Sequence, residues 1–279
     1  TYLDVDSYGM VNPEKVKEAI KENTILISIM YANNEIGTIN PIKEIGDIAR
    51  KNNIYFHTDA CQAAGYCNLN VEELNADLMT LNGSKINGPK GSGILYVKNN
   101  ILLVPLLHGG NQENNLRSGT ENLPNILGFS KALQLAQDEK ENEIARLSKL
   151  KEKFIAGVSS RISDVSLNGH PTNSLPNNIN ISFLGTDGEA IVLYLNEYKI
   201  YASIGSACTS PETESHVLLS TGMPKERANS SVRFSLGKET TEEDINLVIE
   251  VLPNIIGILR EMKKTNLQKV RIRKWVNQN

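Results

Sequence analysis

The sequence is poor in the features that mark several large classes of protein. Its 279 residues include three cysteines and one tryptophan, and the formal net charge is −3. An odd number of cysteines without repeated spacing argues against a disulfide framework and predicts reduced thiols in a cytoplasmic protein. No apolar run approaches the ~20 residues of a membrane span, and no signal-peptide pattern opens the chain. The slightly acidic balance argues against direct nucleic-acid binding, which calls for a dominant basic field.

Apolar β-branched runs alternate with helical patterns in the first half of the chain. Residues 24–32 have the pattern of a strand buried on both faces. Residues 40–53 have isoleucines at helical spacing, and Pro41 suits a first helical position. Further strands are predicted at residues 54–60, 76–83 and 91–99. Strands that alternate with helices predict an α/β domain with a mainly parallel sheet.

The second half of the chain has a different organisation. Residues 122–161 are charged and helical in pattern, and residues 168–177, rich in Pro, Asn, Gly and Ser, are predicted to be an exposed connection. Beyond them the patterns predict strands and then a helix, at 178–184, 200–206, 231–237 and 241–262. We expect residues 1–130 to belong to the large domain and residues 131–279 to form a smaller α+β domain.

The glycine-rich stretch LNGSKINGPKGSG, residues 81–93, contains Lys85 and Lys90 and allows two interpretations. A phosphate-binding P-loop has lysine directly after its last glycine, but Pro89 stands there, which argues against that motif. A Schiff-base lysine needs a site that lowers its pKa, and Lys85 follows an apolar strand in a tight turn. Asp59 ends the neighbouring strand, where a carboxylate can hold a protonated pyridine nitrogen.

Six motifs in this order resemble those of a cysteine desulfurase, which belongs to the class V aminotransferase-like, fold-type I pyridoxal phosphate enzymes. The motifs are MYANNEIGTINPI, HTDACQAAG, NGSKINGPKGSGILYV, RSGTEN, GSACTS and VRFSLGKETTEEDI. The resemblance implies a large domain with a mainly parallel sheet, incomplete at its N-terminus, and a smaller C-terminal domain carrying a catalytic cysteine loop. It also implies that Lys85, not Lys90, is the Schiff-base lysine.

The resemblance assigns roles around pyridoxal 5′-phosphate. It implies that Asp59 pairs with the pyridine nitrogen and Gln62 with the ring hydroxyl oxygen, while Asn34 lies beside that oxygen and the substrate. Asn82 and Ser84 stand where the family has two phosphate-binding residues, the second of them a histidine that this chain lacks. From the residues alone, Asp59 also fits a helix cap and Asn34 a turn former.

Three further roles follow from the resemblance. Thr120 matches a threonine that reaches the cofactor phosphate of the other subunit, which implies a homodimer. Taken alone it has the pattern of a helix N-cap. Cys208, in a polar glycine-containing loop, is implied to be the nucleophile, and Arg233 to bind the substrate carboxylate. Cys61 and Cys67 are predicted to be structural.

The activity implied is the conversion of L-cysteine to L-alanine with a persulfide on Cys208. The sulfur would pass to an acceptor protein, either an iron–sulfur scaffold or a tRNA-thiolation relay. Two alternatives stay open: a selenocysteine lyase, and an inactive fragment or interaction module that needs a separate N-terminal segment. The chain begins with Thr1, whereas full-length members of the family have a further N-terminal segment that completes the cofactor pocket. We therefore expect weak cofactor binding by this chain alone.

Overall fold

The structure is a computed structural model that describes residues 1–205 and 214–265. Its strands are β1 Leu26–Met30, β2 Tyr55–Asp59, β3 Leu78–Asn82, β4 Gly93–Val97, β5 Val165–Asn168, β6 Asn178–Phe183 and β7 Ser231–Ser235. Its helices are α1 Pro13–Glu18, α2 Ile42–Lys51, α3 Val71–Leu74, α4 Leu123–Asp138, α5 Lys140–Arg161, α6 Gly188–Glu197, α7 His216–Ser220, α8 Lys225–Asn229 and α9 Glu242–Lys264. Among these helices none is long and apolar enough to cross a membrane.

The chain forms two compact units. The first unit contains Thr1–Leu3, Val11–Ala32 and Asn40–Asn142. The second contains Asp4–Met10, Asn33–Ile39 and the described part of Glu143–Asn279. The turn between Asn33 and Ile39 therefore belongs with the C-terminal half of the chain, and the boundary predicted near residue 130 falls inside α4.

The first unit is built on a four-stranded sheet of order β1-β2-β3-β4. The first three strands are parallel, with Met30 opposite Asp59 and Asp59 opposite Thr80, and β4 runs antiparallel to β3. The predicted mainly parallel α/β sheet is confirmed. Because β2 and β3 are parallel, the residues that follow both strands lie at the same edge of the sheet.

The prediction that β1 is buried on both faces is wrong. Alternate residues of the sheet face solvent, with Leu26 46%, Met30 40% and Tyr55 50% exposed, while Ile27 and Phe56 are buried on the other face. Side chains of a strand alternate between its two faces, and the described residues of the first unit cover only one of them. Pro41, predicted as the first residue of the following helix, is its N-cap, one position before the first helical residue Ile42.

The second unit has a three-stranded antiparallel sheet of order β5-β6-β7. All six residues of β6 are buried. Helix α9 begins with a capping box, in which Thr241 and Asp244 each accept a hydrogen bond from the other's backbone N–H. The predicted helix at 241–262 and the strands at 178–184 and 231–237 are confirmed.

One prediction in this unit is wrong, and a second holds only in part. Residues 200–205 do not form a strand, because only Ser203 pairs with a neighbour, as an isolated bridge to Arg233; residue 206 lies outside the described residues. The segment 168–177 is an exposed connection only in part, because residues 171–173 are exposed and both ends are not. Asn168 ends β5 in a buried hydrogen-bond network, and Leu175 is 1% exposed. Polar composition predicted exposure here, but the amides are paired inside the fold.

Candidate functional site

A short 3₁₀ turn, Gly83–Ile86, follows β3 and carries Lys85. The Asn82 side chain begins this turn, because its Oδ1 accepts hydrogen bonds from the Ser84 backbone N–H at 2.9 Å and from Ser84 Oγ at 2.8 Å. Gly88 N then donates to Gly83 O at 2.8 Å, which closes the turn. Lys85 is exposed. The turn thus holds the lysine backbone and leaves its amine at the surface of the unit.

Close packing explains the glycine at residue 83. A Cβ at this position would collide with Ser92 Oγ and approach the ring of Phe129 to 2.9 Å. Gly83 N also donates to Ser92 O at 3.0 Å, so the turn lies directly against the chain leading into β4. The glycine lets two backbone segments approach, which fixes where the Lys85 turn leaves the sheet.

Asp59 and Lys85 both affect the pKa of the Cys61 thiol. Asp59, at the end of β2, accepts a hydrogen bond at Oδ1 from Cys61 N at 2.9 Å. Burial, together with the hydrogen bond and the charge of Asp59, raises the pKa of the Cys61 thiol to about 12, and the charge of the Lys85 amine opposes this rise. The charges of a carboxylate and of an exposed amine, which follow neighbouring strands, therefore both affect this thiol. Gln62, next along the chain, is half-buried.

These residues fit pyridoxal phosphate. Asp59 supplies the anion that a protonated ring nitrogen needs, and Lys85 supplies an amine for the aldehyde. Asn82 and Ser84 carry polar side chains one residue to either side of Gly83, and the N–H groups of the Asn82 amide are donors from which a phosphate can accept. Within the described residues no group of His, Cys, Asp and Glu side chains could hold a metal ion.

Three polar side chains on neighbouring strands of the same sheet, Ser28, His57 and Thr80, are joined by hydrogen bonds. His57 Nδ1 lies 2.7 Å from Ser28 Oγ, and His57 Nε2 lies 2.9 Å from Thr80 Oγ1. Burial lowers the pKa of His57, although the Asp59 carboxylate opposes this effect. Both ring nitrogens are thus engaged by hydroxyls on neighbouring strands, which links β1, β2 and β3 below Asp59.

In the second unit the structure brings Asn34 and Arg233 together. Arg233 Nη1 donates to the backbone carbonyl of Asn34 at 2.9 Å, and Asn178 Nδ2 donates to the same oxygen at 3.2 Å. The side chain that shapes the turn is that of Asn33, whose Oδ1 accepts from Glu35 N at 2.8 Å. Asn34 therefore contributes its backbone to the arginine, a contact that the sequence motif did not predict.

The remaining predicted residues are placed as follows. Thr120 is exposed, and the N-cap of α4 is Asn122, so the capping alternative for Thr120 is wrong. Cys67 is buried, and burial raises the pKa of its thiol to about 12, which agrees with a structural thiol. Cys208 lies in residues 206–213, outside the described residues.

Comparison with known proteins identifies the family. The family model Aminotransferase class-V matches residues 1–248. The chain belongs to this family. Among curated proteins, this class-V chain is 52% identical over 263 residues to Cysteine desulfurase IscS of Methanosarcina thermophila, covering 94% of the chain and 65% of that relative. It is 50% identical over 265 residues to Cysteine desulfurase IscS of Clostridium botulinum strain Hall, covering 94% of the chain and 67% of that relative.

Solved structures agree with this assignment. A NifS-like protein superposes with a TM-score of 0.85 at 34% identity, covering 93% of the class-V chain and 68% of that structure. A structure described as SspA in complex with cysteine superposes with a TM-score of 0.71 at 37% identity, covering 85% and 65%. The expected α/β fold and the class V resemblance are confirmed. The chain spans about two thirds of the length of the relatives it matches.

Proposed function

We propose that this chain supplies the catalytic residues of a pyridoxal phosphate-dependent cysteine desulfurase, which converts L-cysteine to L-alanine and holds the sulfur as a persulfide on Cys208. The observation that carries this proposal is the 52% identity over 263 residues to a protein named Cysteine desulfurase IscS. The similar structure described as SspA in complex with cysteine supports L-cysteine as the substrate.

The cofactor would be held by residues of the first unit. Asp59 would keep the ring nitrogen protonated, Gln62 would bind the ring hydroxyl, and Lys85 would bind the aldehyde carbon. Asn82 and Ser84 would contact the phosphate. When bound, pyridoxal phosphate supplies the electron sink that makes the substrate α-carbon acidic.

The remaining steps belong to side chains of this protein. Arg233, held by the Asn34 carbonyl, would bind the substrate carboxylate through its guanidinium. The Lys85 amine would move the proton at the substrate α-carbon. The Cys208 thiolate would attack the substrate sulfur, so that the substrate C–S bond breaks as an S–S bond forms. The carbon fragment takes up a proton and leaves as L-alanine, and no external oxidant is needed.

We also propose that two copies of the chain share their sites, with Thr120 of one copy reaching the phosphate of the other. A stretch that precedes Thr120 in the sequence supports this, because its alternate side chains Leu102, Val104 and Leu106 are 95%, 84% and 94% exposed. Exposed apolar rows of this kind mark protein contact surfaces. Light scattering measures the molar mass of the purified chain in solution and so tests for the dimer. The substitution Leu106→Asp should shift the equilibrium toward monomer.

The persulfide would be passed to an acceptor protein of iron–sulfur cluster assembly or tRNA thiolation in the cytoplasm. Persulfide transfer requires a compartment in which thiols stay reduced. Within the described residues, Cys61 and Cys67 form no disulfide, which fits such a compartment.

The experiment that tests the function measures L-alanine released from L-cysteine at saturating pyridoxal phosphate. It is run on the chain alone and with the segment of the Methanosarcina thermophila relative that this chain does not match. We expect slow release by the chain alone and faster release with that segment. No L-alanine in either sample would refute the proposal.

A further inference from the structure

The sheet of the second unit has a polar face that is buried. All six residues of β6 are buried, and its alternate side chains Asn178, Asn180 and Ser182 are 6%, 1% and 0% exposed. Side chains of a strand alternate between its two faces, so these three lie on one face and the apolar side chains of β6 lie on the other. Burying a polar side chain is costly unless hydrogen bonds replace those lost to water. The partners of these side chains therefore indicate what this face holds.

Two of these side chains hold consecutive carbonyl groups of the turn between Asn33 and Ile39. Asn178 Nδ2 donates to Asn34 O at 3.2 Å, and Asn180 Nδ2 donates to Glu35 O at 3.1 Å. Two neighbouring peptide groups of the turn are thus bound to one strand. This fixes the direction in which the Asn34 carbonyl points.

Arg233 reaches the same carbonyl from the neighbouring strand. It pairs with Asn180 across β6 and β7, and the side chains of directly paired residues lie on the same face of a sheet. Arg233 Nη1 donates to Asn34 O at 2.9 Å, so this oxygen accepts hydrogen bonds from Arg233 and from Asn178. A carbonyl oxygen has two lone pairs and can accept two donors at once. The direction of the guanidinium therefore depends on a carbonyl that Asn178 helps to hold.

The backbone of Arg233 is fixed without Asn178. Arg233 N donates to Ser203 O at 2.7 Å, and Ser203 N donates to Arg233 O at 3.0 Å. On its other side β7 is paired with β6. Arg233 is half-buried, so part of its side chain is open to a ligand. What remains to be set is the direction of that side chain.

The turn also has anchors other than Asn178. Asn33 Oδ1 accepts from Glu35 N at 2.8 Å, which closes the turn. The Glu35 carboxylate is fully buried and accepts at Oε2 from Ser215 Oγ at 2.5 Å. Removing the Asn178 amide therefore leaves the turn in place and withdraws one support from the Asn34 carbonyl.

We infer that Asn178 is a positioning residue for Arg233, acting through the Asn34 carbonyl. With both donors in place, one edge of the guanidinium is bound to the chain and its remaining N–H groups have a defined direction. Without Asn178 the carbonyl is free to rotate, and the guanidinium turns with it. The consequence for binding the substrate carboxylate rests on the proposed function, but the orientation of the side chain does not.

The first test observes Arg233 directly, with no substrate present. In the chain prepared with isotope-labelled arginine, the guanidinium NMR signals of Arg233 are those that disappear in Arg233→Lys. A guanidinium held by hydrogen bonds rotates slowly about its Nε–Cζ bond and gives separate signals for its two Nη groups, whereas fast rotation merges them. We expect separate signals in the parent chain and merged signals in Asn178→Ala.

Ser182→Ala is the matched control. Ser182 lies on the same buried face, but its hydroxyl bonds with Asn168 and Ser231 instead of the turn. Losing these bonds should lower the urea midpoint of unfolding and leave the Arg233 signals as in the parent. Asn178→Asp is a second variant that keeps the size of the side chain and replaces the donor by an oxygen that repels the Asn34 carbonyl. Both Asn178 variants are measured in both tests.

The second test measures the KM for L-cysteine at saturating pyridoxal phosphate, with the unmatched segment of the Methanosarcina thermophila relative supplied. We expect Asn178→Ala to raise KM about fivefold and to change kcat less, because one hydrogen bond is lost. Asn178→Asp should raise KM further, since its carboxylate competes with the substrate for the guanidinium. Adding Asn178→Ala to Arg233→Lys should cause no further rise, because both substitutions act on one interaction.

Arg233 signals that are merged in the parent, or that stay separate in both Asn178 variants, would overturn the inference. Signals that merge equally in Ser182→Ala would also overturn it, because they would indicate general loosening, and so would KM increases that multiply in the double variant. If the signals depend on Asn178 but no sample releases L-alanine, the proposed function fails and the positioning of Arg233 stands.

Discussion

Arg233 Nη1 donates a hydrogen bond to the backbone carbonyl of Asn34 at 2.9 Å, although 199 positions separate the two residues. The contact joins β7 to the turn between Asn33 and Ile39 within one compact unit. A guanidinium held by a carbonyl is oriented as well as charged, so its remaining N–H groups have a defined direction.

We therefore predict that Arg233→Lys raises the KM for L-cysteine at least tenfold and changes kcat less. Lysine keeps the charge but cannot hold both the Asn34 carbonyl and a carboxylate with the same planar fork. Arg260→Lys is the matched control, since Arg260 donates to the Leu184 carbonyl. Steady-state kinetics check the prediction, and an unchanged KM in Arg233→Lys would contradict it.

Lys85 and Lys90 form a natural pair for testing the cofactor site, because both are exposed lysines of one glycine-rich stretch. Lys85→Ala should abolish the absorbance of chain-bound pyridoxal phosphate, whereas Lys90→Ala should retain it. Reduction with borohydride followed by peptide mapping identifies the modified lysine. Cofactor trapped on Lys90 would show that the assignment from the motif is wrong.

Gly83→Ala should displace the turn that carries Lys85. The added methyl group collides with Ser92 Oγ and the Phe129 ring, and overpacking of this kind costs about 1–3 kcal/mol. Gly65→Ala is the control, because a Cβ there meets nothing within 4 Å. Urea unfolding gives the stability change and cofactor absorbance gives the effect on Lys85. Equal midpoints for the two variants would contradict the packing argument.

Lys151 predicts an unusual pH dependence of stability. Its Nζ donates to Ser174 Oγ at 2.8 Å and to Leu175 O at 2.9 Å, and burial lowers the pKa of its amine from 10.5 to about 8. Between these two values the unfolded chain binds more protons than the folded one, so this contribution to the free energy of unfolding increases as pH rises.

Compared with Lys151→Met, the parent should gain roughly 2 kcal/mol of stability between pH 7 and 9.5. Lys149→Met, at an exposed position of the same helix, should follow the parent. Urea titrations at several pH values measure this, and a difference between Lys151→Met and the parent that does not vary with pH would contradict the burial of the amine.

The order of strands and helices in the first unit was predictable from the sequence, because apolar runs and helical spacing report local structure directly. The position of Lys85 after β3 and that of Asp59 at the end of β2 followed from the same patterns. The exposure of one face of β1 could not be predicted, because a run such as Leu26–Met30 is apolar whether or not both faces of the strand are covered.

The contacts of the turn between Asn33 and Ile39 could not be predicted either. They join it to Arg233 and Ser215, which are about 200 residues away in sequence. The motif indicated that the turn matters, but a pattern of residue types carries no information on which distant side chain meets a backbone carbonyl or a buried carboxylate. The buried Asn168 network was missed for the same reason, because its polarity resembles that of an exposed loop.

The most direct test of the central claim is peptide mass spectrometry of the chain after a single exposure to L-cysteine at saturating pyridoxal phosphate, with the unmatched segment of the Methanosarcina thermophila relative supplied. We predict one added sulfur atom on Cys208, absent in Lys85→Ala and in Cys208→Ala, and retained in Cys61→Ala and Cys67→Ala. Sulfur found only on Cys61 or Cys67, or present on Cys208 without Lys85, would contradict the account.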